Sequence, residues 1–322
     1  MDTNLEMNSH KAELSIIVPV GERHAQAREL YADYVAGLKA LGRSFELIFV
    51  LDGPQKEFAA GLRALLDAGE RFTVIGLTRS FGEATAIMAG FAHAQGQTIM
   101  TLPAYHQVEG TEVGKLVTAL ESCDLAIGRR WPRVGGLFER LRRRVFHGLL
   151  AWITHVRFND LACGARAFKR QVLEEIQLYG DQHRFLALLA DRQGFRVKEV
   201  DLRQSQQDRF RGIYRPREYL RGFIDIFTVF FLVRFTKKPL RFFGMIGVVL
   251  FSLGALWTAW LVVERLFLHQ ALADRPALLL SSLLVVLGLQ IFALGLLGEL
   301  IIFTHARGLK DYQVAEVIQF ER

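Results

Sequence analysis

Short apolar, β-branched runs alternate with segments of helical period along the first two-thirds of the chain. "LSIIVPV" (Leu14–Val20) reads as a buried strand. Ala25–Leu41 follows with Leu30, Tyr34 and Leu38 at i, i+4 spacing, which predicts a helix. "FELIFVLD" is a second strand, Phe58–Leu66 a helix and "FTVIGLT" a third strand. "GEATAIMAGFAHAQG" predicts a closely packing small-residue helix, and "QTIMTLP" a fourth strand. A helix near Glu112–Leu120 leads to "CDLAIG", the fifth, and "FRVKEVDL" (Phe195–Leu202) is a late strand. "NDLACGARAFKR" reads as a polar turn followed by a helix start. This alternation predicts an α/β fold with a mostly parallel sheet covered on both faces.

The last third breaks the pattern. Leu240–Val263 and Ala277–Thr304 are continuous apolar runs, each longer than the roughly 20 residues that cross a bilayer core. They predict a transmembrane hairpin and account for a mean hydropathy of +0.20. Lys237 and Lys238 precede the first run, Arg241 stands at its start, and Arg307 and Lys310 follow the second. That bias places both termini in the cytoplasm of an inner-membrane, multi-pass protein. The polar N-terminus, with no apolar segment, does not read as a signal peptide. The expected layout is a flexible tail over 1–12, an α/β domain over 13–204 and a basic loop with an amphipathic juxtamembrane helix over 205–239. The hairpin (240–305) and a cytoplasmic tail (306–322) complete it. Leu137, Leu141, Val145 and Leu149 share one face of a further arginine-rich helix, which fits either the membrane surface or a solvated position on the sheet.

The net charge of +7 suits an anionic partner, and with two spans present lipid headgroups explain it without nucleic acid. Cys123 and Cys163 are too few for a disulfide framework or a zinc site. The chain lacks a Walker A loop, a GxGxxG fingerprint, an HExxH pair and a G-x-S-x-G elbow. The common nucleotide hydrolase, dinucleotide oxidoreductase and serine hydrolase readings fall with them.

The order "SIIVPV", "ELIFVLDG", "LTRSFGEATAIMAGFAHAQG", "LPAYHQ", "AIGRR", "NDLACGARAFKR", "RFRG" and "FTKKPLRFFGMIG" resembles one family from about Glu13 to the C-terminus. It is the inverting family 2 glycosyltransferases acting on polyprenyl phosphate, the dolichyl-phosphate mannose synthase and bactoprenol glucosyltransferase group. The resemblance implies a GT-A fold, the Rossmann-like nucleotide-diphospho-sugar transferase sheet, followed by a two-helix transmembrane hairpin. It also implies transfer of a sugar from a nucleotide sugar to a membrane-bound polyprenyl phosphate. Pro19 and Val20, Asp52 and Gly53, Arg79 and Phe81, and Arg130 match donor-binding positions. Asp160 matches the catalytic-region aspartate, with Arg166 following it. Arg209, Arg211 and Arg215 match the loop that holds the acceptor phosphate. Where the family continues strand one with an aromatic, Asn and Glu, this chain has Gly21-Glu22-Arg23.

The main departure lies in "TLPAYHQVEG". The family's Asp-x-Asp there holds Mg²⁺ or Mn²⁺ on the donor diphosphate; this chain has Pro103, Ala104 and Tyr105, poor company for a hard dication. Three readings follow. Protein cations replace the metal, with Arg129, Arg130, Arg209, Arg211, Arg215 and Arg217 as candidates. Alternatively, His106 and Glu109 form a shifted metal site. In the third reading the chain is a non-catalytic relative that binds lipid, nucleotide or a partner protein. Asp52 also reads as a turn cap, and Asp160 as the N-cap of a short helix. Glu299 either pairs inside the hairpin or snorkels to the interface. Gly295 and Gly298 permit close helix approach, including that of a homo-oligomer.

Overall fold

The computed structural model describes residues 12–132, 158–178, 182–208, 239–268 and 276–305, together with 148 and 180. These fall into two compact units, 12–208 and 239–305. In the first, strands β1 (Leu14–Val20), β2 (Phe45–Leu51), β3 (Thr73–Gly76), β4 (Thr98–Thr101), β5 (Leu125–Arg130), β6 (Arg166–Lys169) and β7 (Val197–Leu202) form one sheet in the order β3-β2-β1-β4-β6-β5-β7. All seven residues of β1 are buried, as a strand covered on both faces requires. Parallel pairing joins β1 to β2 and β4, β2 to β3, and β5 to β7.

Helices α1 (Ala27–Lys39), α2 (Lys56–Asp67) and α3 (Glu83–His93) cover the first half of the sheet. A 3₁₀ turn (Gly110–Glu112) and α4 (Gly114–Ala119) occupy the predicted 112–120 helix. Short α5 (Gln171–Glu175) and α6 (Leu186–Gln193) complete the unit. Successive strands β1, β2 and β3 step one way while β4 returns to the other side of β1, so the order reverses between β1 and β4. Ligand crevices of open α/β sheets lie outside the carboxyl ends of strands at such a reversal.

One element corrects the sequence reading. Arg166–Lys169, expected at a helix start, is β6, antiparallel to both β4 and β5. Its two central side chains, Ala167 and Phe168, are fully buried, and helix α5 begins only at Gln171. Because β6 runs against its neighbours, its first residue, Arg166, pairs with Thr101 at the carboxyl end of β4.

In the second unit, α7 (Pro239–Leu268) and α8 (Pro276–His305) pack as an antiparallel hairpin. Thirty residues at about 1.5 Å each give about 45 Å, enough to cross a hydrocarbon core of about 30 Å with turns to spare. Their apolar side chains are mostly exposed, among them Leu256 and Leu279, which suits lipid and not a soluble core. The two helices touch at glycines. A Cβ on Gly247 would sit 2.7 Å from the Gly288 carbonyl oxygen, so nothing larger fits. Gly295 and Gly298 face Phe243 and Pro239 of the same hairpin. Glu299 Oε2 accepts a hydrogen bond from the Leu240 amide at 3.3 Å, satisfying one of the open N–H groups at the start of α7. Thr258 and Ser281 hydroxyls meet at 3.0 Å.

Candidate active site

Parallel strands gather their carboxyl ends at one edge, and antiparallel β6 brings its amino end there too. A cleft of about 330 Å³ opens at this edge, lined by Pro19, Gly21–Arg23, Asp52, Glu83, Pro103–Tyr105, Ala162, Gly164, Arg166, His183 and Arg184. It takes in four of the residues matched to the donor site or metal position from sequence, Pro19, Asp52, Pro103 and Tyr105. It also contains three that sequence reasoning missed, Glu83, His183 and Arg184.

The floor is the 103–107 segment, and α1 holds it. Tyr34, fully buried, donates its hydroxyl to the Pro103 carbonyl at 2.7 Å. The Ala25 amide donates to the Ala104 carbonyl at 2.8 Å. Gln107 Nε2 donates to the Tyr105 hydroxyl at 2.9 Å, and its Oε1 accepts from the Gly164 amide at 2.7 Å. The segment thus ties β4 to the turn before β6. His106 turns away from the cleft: its Nδ1 lies 3.2 Å from Asp33 Oδ2. Among the described residues no group of three or more His, Cys, Asp or Glu converges as a metal site. Proline, alanine and tyrosine supply no carboxylate to the floor, so the residues there do not fit a hard dication.

Asp52, at the end of β2, is buried, and its carboxylate accepts from the Ser80 hydroxyl at 2.8 Å and the Phe81 and Gly82 amides at 2.7 and 3.0 Å. The side chain therefore fixes the 79–82 loop and the start of α3. Gly53 makes room for this: its φ is +85°, and a Cβ would lie 2.9 Å from the Ser80 nitrogen. Arg79 and Phe81 stack on each other at the loop's exposed tip, 4.9 Å from guanidinium carbon to ring centre.

Behind the cleft lies a buried ion pair. Asp160 Oδ1 and Oδ2 accept from Nη2 and Nε of Arg130, both at 2.7 Å, and Oδ2 also takes the Arg130 amide at 3.2 Å. Burial alone would lower the Arg130 pKa; the hydrogen bonds and charge of Asp160 outweigh it and raise it. Arg130 Nη1 reaches Asp208 at 3.2 Å. Glu199 accepts from the Asn159 amide and side chain and from the Asp160 amide, so the carboxylate arrives by an anchored turn and not as a helix N-cap. Arg129 points to the opposite face of β5 and is held by Asp201.

The remaining wall carries charge that burial would normally exclude. Arg166 is 4 % exposed and donates to the carbonyls of Cys163, His183 and Leu161. Burial lowers its pKa, with Glu83 opposing. His183 Nε2 lies 3.2 Å from Glu83 Oε2. Burial would raise the Glu83 pKa, but the hydrogen bond and charge of His183, with Arg166 and Arg184, hold it below the usual carboxylate value. Cys163, buried, has its thiol pushed up to about 11 by burial, a packing residue and not a nucleophile. Arg209, Arg211, Arg215 and Arg217, and the arginine-rich helix near 137–149, lie outside the described residues.

Known proteins align with both units. Along 95 % of its length the chain is 29 % identical to the undecaprenyl-phosphate 4-deoxy-4-formamido-L-arabinose transferase of Shewanella sediminis, covering 92 % of that protein. It is 26 % identical to the dodecaprenyl-phosphate galacturonate synthase of Rhizobium johnstonii, over 92 % of this chain and 89 % of that one. The mannosyl-3-phosphoglycerate synthase of Rubrobacter xylanophilus shares the fold of the first unit, with a TM-score of 0.53 at 13 % identity over 68 % of this chain and 73 % of that one. Residues 15–177 match glycosyl transferase family 2 and residues 238–302 match the GtrB C-terminal hairpin. The first match falls on the GT-A-like sheet with its cleft at the strand-order reversal and the second on the membrane-length hairpin, and the chain belongs to glycosyl transferase family 2.

Proposed function

We propose that the protein transfers a sugar from a nucleotide-sugar donor to a polyprenyl phosphate of the undecaprenyl type, at the cytoplasmic face of the membrane. The observation that carries this reading is the cleft at the carboxyl ends of β1, β2 and β4, walled by Arg23, Arg166 and Arg184, in a chain that also carries a membrane anchor. Two substrates of opposite solubility, both anionic, require such a combination. The full-length relatives, named for undecaprenyl and dodecaprenyl phosphate, support the acceptor class.

In this reading a phosphate oxygen of the acceptor attacks the anomeric carbon. The bond from that carbon to the donor's distal phosphate oxygen breaks, and its electron pair leaves on the nucleoside diphosphate, inverting the sugar. A phosphate monoester is largely ionised at neutral pH, with a second pKa of about 6, so the attack needs no strong general base. Asp160 acts as a positioning residue through Arg130. Pro19, Val20, Gly53 and the 79–82 loop shape the donor side, with Asp52 holding that loop. Arg209, Arg211 and Arg215 hold the acceptor phosphate by charge-assisted hydrogen bonds.

The missing carboxylates at 103 and 105 favour a second reading, a non-catalytic lipid- or partner-binding subunit. Purified protein in nanodiscs, given polyprenyl phosphate and a panel of labelled nucleotide sugars, separates the two. Label entering the lipid phase only when acceptor is present supports the transferase. No transfer from any donor by folded protein supports the second reading.

A further inference from the structure

A diphosphate leaving group needs positive charge beside its developing oxyanion, and the cleft floor has no carboxylates with which to hold a dication. The described cations differ in what they have left to give. Arg129 is committed to Asp201, and Arg130 to Asp160 and Asp208. Arg166 is spread over three carbonyls, Arg184 lies in the field of Glu83, and Arg79 stacks on Phe81 outside the cleft lining. Arg23 stands differently. Its guanidinium carbon lies 3.8 Å over the centre of the Tyr105 ring, and a single nitrogen, Nη2, donates to Asp208 at 3.1 Å. A guanidinium has five N–H donors, so most of Arg23's point at nothing in the described structure. Its side chain is 62 % exposed, within reach of a ligand entering the cleft.

Tyr105 gives Arg23 a fixed place. The ring is itself held through its hydroxyl by Gln107 and through its backbone by the α1-tied floor. A guanidinium seated over an aromatic face keeps a planar fork of donors free at its edge, which a lysine ammonium cannot reproduce. The charges are also consistent. A dication held by two carboxylates sums to zero, and so does a floor with neither; Arg23 adds a guanidinium whose one bonded carboxylate, Asp208, is shared with Arg130.

We propose that Arg23, laid on Tyr105, binds the distal phosphate of the nucleoside diphosphate, so that donor binding at this cleft needs no divalent cation. This rests on the donor-site reading above. As the anomeric carbon–oxygen bond breaks, the electron pair settles on a phosphate oxygen facing Arg23. The guanidinium transfers no proton.

Calorimetric titration of the full chain in detergent tests this, with UDP, GDP, ADP and dTDP and their monophosphates, each in EDTA and in excess Mg²⁺. The parent is expected to bind one diphosphate with the same affinity in both buffers. Arg23→Ala, a change at an exposed side chain, should weaken the diphosphate by about 10-fold or more, the worth of a charge-assisted hydrogen bond. Monophosphate binding should stay unchanged, and Arg23→Lys should recover only part of the loss. Mg²⁺-dependent diphosphate binding overturns the inference and leaves the donor site standing. So does an Arg23→Ala variant that binds like the parent, or one that loses monophosphate equally. A folded parent that binds no nucleotide at all overturns the donor-site reading, and the inference with it.

Discussion

Replacing Asp160 by asparagine removes a charge 2 % exposed, without changing its shape. In the parent, two parallel hydrogen bonds of 2.7 Å join it to Arg130, itself 7 % exposed. With charge centres about 4 Å apart and an effective dielectric near 20, the attraction is about 4 kcal/mol. Breaking a buried pair from one side costs about 3–5 kcal/mol because the other charge is stranded. Arg130 keeps Asp208 at 3.2 Å, which offsets part of the cost, so about 3 kcal/mol is the expected loss. For a unit of this size that lowers the melting midpoint by roughly 6–12 °C. The turn that carries residue 160 is pinned separately by Glu199, so the effect stays local. The double variant Arg130→Met/Asp160→Leu replaces the pair with apolar groups and should regain most of the stability while losing sugar transfer. Thermal melts in detergent read the first effect, and the transfer assay reads the second. An Asp160→Asn variant melting within about 1 °C of the parent would refute the reasoning, since no buried pair behaves that way.

Asp52→Asn turns one acceptor oxygen into a donor facing the amides of the 81–82 loop; a loss of about 2 kcal/mol is expected, with faster proteolysis at 79–82 as the check. Asp124 is held down to about 2: burial would raise its pKa, but hydrogen bonds from Arg196 and Lys169 outweigh that and lower it. A depressed carboxylate stabilises above its unfolded pKa and stops doing so as pH falls through the folded one. Asp124→Asn should therefore be less stable than the parent by about 1 kcal/mol at neutral pH, after allowance for solvent screening. The gap should close between about pH 4 and pH 2 in acid melts; a gap independent of pH would count against the pairing. In the hairpin, Gly288→Leu should separate α7 from α8. A disulfide between Thr258→Cys and Ser281→Cys should form in the parent background and not in Gly288→Leu.

The buried parallel strands were legible because an element covered on both faces must be apolar throughout, as in Leu14–Val20. The hairpin was legible for the same reason on a larger scale. β6 was not: it has four residues, charged at both ends, and its identity comes from the antiparallel neighbours on either side. Arg166 in particular is buried through carbonyls 161, 163 and 183, partners that only the folded chain assembles. Asp160 and Arg130 were each legible as site residues, but their pairing was not, since thirty positions separate them. Glu83 and His183 are a hundred positions apart and carry no motif. Tyr105 was read as a ligand lost; its ring serves as a platform for Arg23, a contact no spacing rule contains.

The central claim is that this chain makes a glycosyl phosphate lipid. Mass spectrometry of the lipid extracted from nanodiscs tests it most directly, after incubating the protein with polyprenyl phosphate and the nucleotide-sugar panel. The account predicts a lipid heavier than the acceptor by one glycosyl residue, formed in the presence of the parent and absent with Arg130→Met/Asp160→Leu. An unchanged acceptor mass with every donor, from protein that melts cooperatively, would contradict it.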